Sequence, residues 1–182
     1  MKTLKILCAA MVCLAFAPAA NLFAQFHTDS EDATVSTFVI NEMVVEKQAD
    51  INFGFVSNDI SVNEPLIDPT DGSTSFIAGD VMVGKFQINA TDGQSIEITD
   101  NSPVTLTGPG SVTEIDFVAL LSGFMGTNAS DFGGTSVNTG ESFSLTDNIY
   151  TVWVGGTLEG GSSLTIGEHQ GTYTLTVEYV FN

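Results

Sequence analysis

From Tyr173 to Phe181 every second side chain is a large apolar one: Tyr173, Leu175, Val177, Tyr179 and Phe181 form one row. Thr174, Thr176, Glu178 and Val180 form the other. A period of two sends alternate side chains to opposite faces of an extended chain, so this segment is a strand with one packing face and one largely wet face. Shorter versions of the pattern recur upstream, and no stretch after the leader shows a capped helix with a 3.6-residue apolar stripe.

Thr34 to Lys47 is rich in valine, isoleucine and phenylalanine and predicts one or two strands. Ile51, Phe53 and Phe55 alternate with Asn52 and Gly54, which predicts three apolar side chains on one face. Ile60 to Ile67 alternates weakly and runs into Asp68-Pro69-Thr70-Asp71-Gly72, a tight reversal. Val81 to Ile88 and Ser95 to Thr99, joined through Thr91-Asp92-Gly93, predict a hairpin. Val104 to Thr107 predicts a short strand closed by Gly108-Pro109-Gly110. Ile115 to Met125, the most apolar stretch after the leader, fits a buried strand or a short helix by periodicity alone, and its turn-like flanks favour the strand; Ser142 to Leu145 and Ile149 to Val154 predict two more.

With turns about 8–12 residues apart, these segments amount to about nine or ten strands. No helical crossovers link them, so the sheets should be antiparallel and packed face to face. The expected fold class is an all-β antiparallel sandwich.

Residues 1–24 read as a signal peptide: Lys2 and Lys5, an apolar run from Ile6 to Phe16, Pro18, and a cut between Ala24 and Gln25. The run is too short for a membrane span, which takes about 20 apolar residues. Residues 25–33 read as a flexible acidic lead-in, and residues 34–182 as a single domain.

Cutting there leaves 158 residues and takes the formal charge from −18 to −20, because the leader holds Lys2 and Lys5 but none of the 22 acidic residues. Both cysteines, Cys8 and Cys13, leave with it, and the chain contains no arginine. Disulfide and thiolate chemistry, guanidinium clamps for phosphate and basic faces for nucleic acid are thereby excluded from the mature chain. A domain this long buries roughly 70% of its unfolded surface, enough for a core without disulfides.

The end of the chain carries Val154-Gly155-Gly156-Thr157-Leu158, then Gly167-Glu168-His169-Gln170-Gly171-Thr172-Tyr173 and the strand Thr174 to Tyr179. Upstream stand Asp50-Ile51-Asn52-Phe53-Gly54 and Gly84-Lys85-Phe86-Gln87-Ile88. In order and spacing, from about Val44 to Tyr179, these resemble a family of secreted bacterial domains of unknown function catalogued under the number 4402. The resemblance implies an exported immunoglobulin-like or pilin-like sandwich, no known enzymatic activity and no site residues to carry over. The segment Glu159 to Ser163 departs from that pattern as an insertion before the final loop.

Few residues invite chemistry. His27 and His169 are too few for a zinc cage and read as surface-loop residues. No Gly-x-Ser-x-Gly elbow is present, and no glycine-rich loop opens a helix that could hold phosphate. Calcium suits the hard carboxylate oxygens best. The metal candidates are therefore the clusters Asp29, Glu31, Asp32 and Asp68, Asp71, although neither has EF-hand spacing and both also read as solvated turn residues. Trp153, Tyr150, Tyr173 and Tyr179 lie in expected strands and read as core before they read as a sugar-stacking platform.

The reading as a whole is an exported, non-enzymatic structural or interaction module of the periplasm or bacterial cell surface, fimbria-like and without a cofactor unless calcium; the alternative is a calcium- or glycan-binding module that uses the loops between strands. Its partner would be another copy or another protein at an edge strand, with carbohydrate as a further partner class and no nucleic acid or membrane insertion. The terminal row also has the form of a strand donated to another chain's sheet, besides that of an ordinary last strand.

Overall fold

A computed structural model describes residues 37, 39–111 and 113–181. Residues 1–24, read as a signal peptide, residues 25–33, read as a flexible lead-in, and Thr34 to Ser36 lie outside the described residues. The described chain is all-β, with one short 3-10 turn at Pro109–Ser111. In order the strands are β1 (Val44–Ala49), β2 (Phe55–Val56), β3 (Leu66–Ile67), β4 (Thr74–Ser75), β5 (Ile77–Ala78), β6 (Gly84–Asn89) and β7 (Ser95–Asp100). Then come β8 (Val104–Thr107), β9 (Thr113–Met125), β10 (Thr135–Val137), β11 (Ser142–Ser144), β12 (Ile149–Gly160) and β13 (Leu175–Val180). The count exceeds the expected nine or ten because β4, β5 and β10 are two- or three-residue pairings, too short to leave a period-two signal.

The large sheet is built on two long strands, β9 and β12, antiparallel from Tyr150↔Met125 to Gly160↔Ile115. β12 carries β6 and β3 along its other edge, while β9 carries β8 and β10, and β1 pairs with β6. A second sheet runs β11-β7-β13, and β2 with β5 makes a small ribbon. Every pairing is antiparallel, and the two larger sheets face each other across the core, making a sandwich.

Alternation supplies that core. Phe86, Ile88, Tyr150, Val152, Val154, Phe117 and Leu121 point inward from one sheet, and Ile96, Ile98, Leu175, Val177 and Tyr179 from the other. Ile88, Ile96, Ile98, Val152 and Val154 are wholly buried. Each such side chain contributes roughly 1.5–3 kcal/mol relative to exposure. Phe117 joins the sheets by edge-on contacts with Phe53 at 5.8 Å and Tyr173 at 5.9 Å.

The Val81–Ile88 and Ser95–Thr99 hairpin is corrected. β6 and β7 lie in different sheets, and residues 90–94 arch from one to the other. The arch bonds to strand ends elsewhere: Ala90 N donates to Asn148 O, Gly93 N to Leu145 O and Thr91 N to Tyr179 Oη. Facing each other, the rows Phe86, Ile88 and Ile96, Ile98 bury more apolar surface than they would side by side.

Phe55 is corrected too. It is 76% exposed, and Val56 turns inward instead, because Gly54 takes φ 64° and breaks the alternation. The first strand starts only at Val44, and the strand begun at Ile149 continues through Gly155 and Gly156 to Gly160, absorbing Glu159 and Gly160, the first two of the five residues of the apparent insertion. Room explains that continuation. A methyl group at Gly155 would overlap Ile67 O, and one at Gly156 would overlap Val118 O.

From Tyr150 to Gly156, β12 is buried on both faces. Its outer face, Thr151 and Trp153, lies under the loop between β9 and β10. Trp153 Nε1 donates to Ser130 O at 3.1 Å, and Thr151 Oγ1 to Gly126 O at 2.8 Å. Lys85 Nζ reaches Asn128 O at 2.5 Å and Ser130 O at 2.9 Å while standing 5.7 Å from the Trp153 ring centroid.

Candidate functional site

Asp68 and Asp71 act as turn residues. Asp68 Oδ1 accepts from Thr70 N at 2.8 Å and Thr70 Oγ1 at 2.6 Å, and Asp71 Oδ1 accepts from Ser73 N at 2.8 Å. Hydrogen bonds from the Ser73 side chain and backbone hold the Asp71 carboxyl below its usual pKa. Among the described residues no three His, Cys, Asp or Glu side chains come together to hold a metal ion. Asp29, Glu31, Asp32 and His27 lie outside the described residues.

His169 is a half-buried loop residue packed over Gly108, with Nδ1 3.2 Å from Gly167 O and Nε2 buried without a hydrogen-bond partner. The aromatic platform does not form. Trp153 is fully buried, Tyr150 is 5% exposed, and Tyr173 and Tyr179 pack against the core from the facing sheet. Burial pushes the Tyr173 hydroxyl well above the usual tyrosine pKa, and the charge and hydrogen bond of Asp100 add to that.

The feature left open to a partner is backbone. β7 pairs with the inner edge of β13, without a break, from Leu175↔Asp100 to Val180↔Ser95, and among the described residues no strand pairs with the outer edge. Glu178 is the only charge on those six residues. The other six-residue edge strand, β1, differs. It carries Glu46 and Lys47, its register shifts between Lys47 and Ala49, and Lys47 is bridged to Asp50 at 2.6 Å. Charges and a bulge are the usual guards of a sheet edge, so β1 is guarded and β13 is not. β4, β8, β10 and β11 offer only two to four residues each.

Tyr173, Leu175, Val177 and Tyr179 are spent on the chain's own core, whereas Phe181 leaves the row, 69% exposed, with its ring 6.0 Å from Tyr179. The row is thus the last strand of its own sandwich. Which edge it leaves bare could not be read from the chain, because edge position belongs to sheet order.

A family of domains described as of unknown function, DUF4402, matches residues 43–179. The chain belongs to the DUF4402 family. The matched span opens one residue before β1 and ends at Tyr179, so among the described residues it takes in the whole sandwich except Val180, the last residue of β13. No curated protein matches the chain. Among the described residues no helix is long and apolar enough to cross a membrane.

Proposed function

We propose that the chain is an exported, non-enzymatic structural or interaction module at a bacterial cell surface, a fimbria-like subunit whose partner pairs with the outer edge of β13. The unguarded edge of β13, set against the bulged and charged edge of β1, carries this reading. An extended segment added there would gain main-chain hydrogen bonds along six residues. The leader pattern at residues 1–24 supports export.

The test is the mass of the chain from Gln25 onward in solution, measured across a concentration series. Assembly that grows with concentration is expected. Thr176→Lys, on the exposed outer face, should abolish it without unfolding, because an edge lysine opposes strand addition. A strict monomer at every concentration, or assembly indifferent to this variant, refutes the reading. Deleting Thr172 to Asn182 cannot serve as the test, since it removes core side chains.

A further inference from the structure

β11 and β13 are opposite edges of the second sheet, and on the β11 flank the two sheets part beside β10, leaving a cleft of about 540 Å³. Small-ligand clefts span about 300–1,000 Å³. The floor is Tyr150. Its hydroxyl lies directly over Gly123, where any side chain would overlap it, and its ring packs against Phe143 with centroids 5.0 Å apart. At the rim Asn138 Nδ2 donates to Glu141 Oε2 at 3.0 Å.

Tyr150 is 5% exposed, and among the described residues no protein group hydrogen-bonds to its hydroxyl. A phenol this deep ordinarily finds a partner inside the protein. Here Tyr150 lines the cleft, and its oxygen keeps some contact with solvent. Burial pushes its pKa up to about 12, so at neutral pH it is an uncharged O–H donor.

The rest of the lining narrows the ligand. Thr135, Ser136 and Ser142 add hydroxyls, and among the described residues Glu141 is the one charged group and no cation lines the cleft. An anion would meet a carboxylate and an acidic chain with nothing to neutralise it. A purely apolar ligand would leave the tyrosine hydroxyl unpaired. What suits aromatic rings, hydroxyls, an amide and one acceptor carboxylate is an uncharged ring compound rich in hydroxyls. We propose that this cleft binds a neutral mono- or disaccharide, with the Tyr150 hydroxyl donating to a sugar oxygen at the floor and Glu141 accepting from a sugar hydroxyl at the rim. The site is independent of the β13 edge and stands whether or not the chain assembles there.

Amide NMR of the mature chain, titrated with cellobiose, maltose and lactose, tests it, with glucose 6-phosphate as the anionic control. At least one disaccharide should shift the resonances of residues 123–125 and 135–143, and the phosphate ester should not. Tyr150→Phe keeps the ring and should weaken binding about fivefold or more, the worth of one hydrogen bond. Glu141→Ala, at the exposed rim where folding is not at stake, should weaken it as well. The proposal is overturned if no disaccharide acts up to roughly 20 mM, an affinity below any specific site. It is equally overturned if the shifts map elsewhere, if both variants bind like the parent, or if an extended peptide takes the cleft in preference to every sugar.

Discussion

Tyr173 donates its hydroxyl proton to Asp100 Oδ2 at 3.0 Å, tying the approach to β13 to the last residue of β7. Asp100 Oδ1 accepts from Ser102 N at 2.9 Å, so the carboxylate is held from two sides at the margin of the core. Tyr173→Phe keeps the ring contacts with Phe117 and Phe86 and removes only that proton. The expected loss is about 1–3 kcal/mol, as for a hydrogen bond to a charged acceptor, read as a lower urea midpoint at unchanged slope.

Alkaline stability follows from the tyrosines. Burial raises the folded-state pKa of Tyr150 from about 10 to about 12, and that of Tyr173 also moves up. Between the unfolded and folded values the native state binds the extra proton, so stability falls as pH rises. The contribution is complete below about pH 10 and lost as pH passes through the folded value near 12 for Tyr150. Denaturant midpoints taken from pH 9 upward should decline from about pH 10, and Tyr150→Phe should flatten that decline.

Glycines separate by what surrounds them. Gly156, at φ 147° and against Val118 O and the Phe117 ring, cannot accept a methyl group without moving the β9–β12 pairing. Gly156→Ala should cost about 3 kcal/mol or more, as overpacking together with backbone strain. Gly161 has open space around it and no positive φ, so Gly161→Ala should be neutral or stabilise by about 0.4–1 kcal/mol through the unfolded chain. Thermal melts of the two variants would show the contrast.

Lys85 serves as a latch. It holds the carbonyls of Asn128 and Ser130 over Trp153, the only tryptophan of the chain. Lys85→Met keeps the aliphatic stem and loses both charge-assisted bonds, so the loop between β9 and β10 should open while the core stays intact. Acrylamide quenching of Trp153 fluorescence should rise severalfold without a change in strand content by circular dichroism. Unchanged quenching would show that the bonds remaining to the loop, from Trp153 Nε1 to Ser130 O, Thr151 Oγ1 to Gly126 O and Ser122 Oγ to Gly133 O, hold it without the lysine.

Much of the sandwich was legible because packing writes a period of two into any strand that is wet on one side. The rows around Ile96, Ile98 and Tyr173 to Tyr179, and the run Ile115 to Met125, all lie where alternation or apolar density put them. Signals failed where a single residue redirects the chain, as Gly54 does before Phe55, whereas Trp153 was legible as core and only the loop that covers it was not. Gly123 was a readable clue, since a glycine within a strand marks a close approach, but the Tyr150 hydroxyl that fills its place is 27 positions away.

By itself the chain determined that it would build antiparallel sheets around an apolar interior, since side-chain alternation and turn residues act over a few positions and need no distant partner. Tertiary structure decided which strands became neighbours, that β6 and β7 face each other instead of forming a hairpin, that among the described residues no strand pairs with the outer edge of β13, and that a cleft opens beside Tyr150. Those outcomes depend on how much apolar surface each arrangement buries at long range, a quantity that belongs to the whole packed chain and to no local stretch of it.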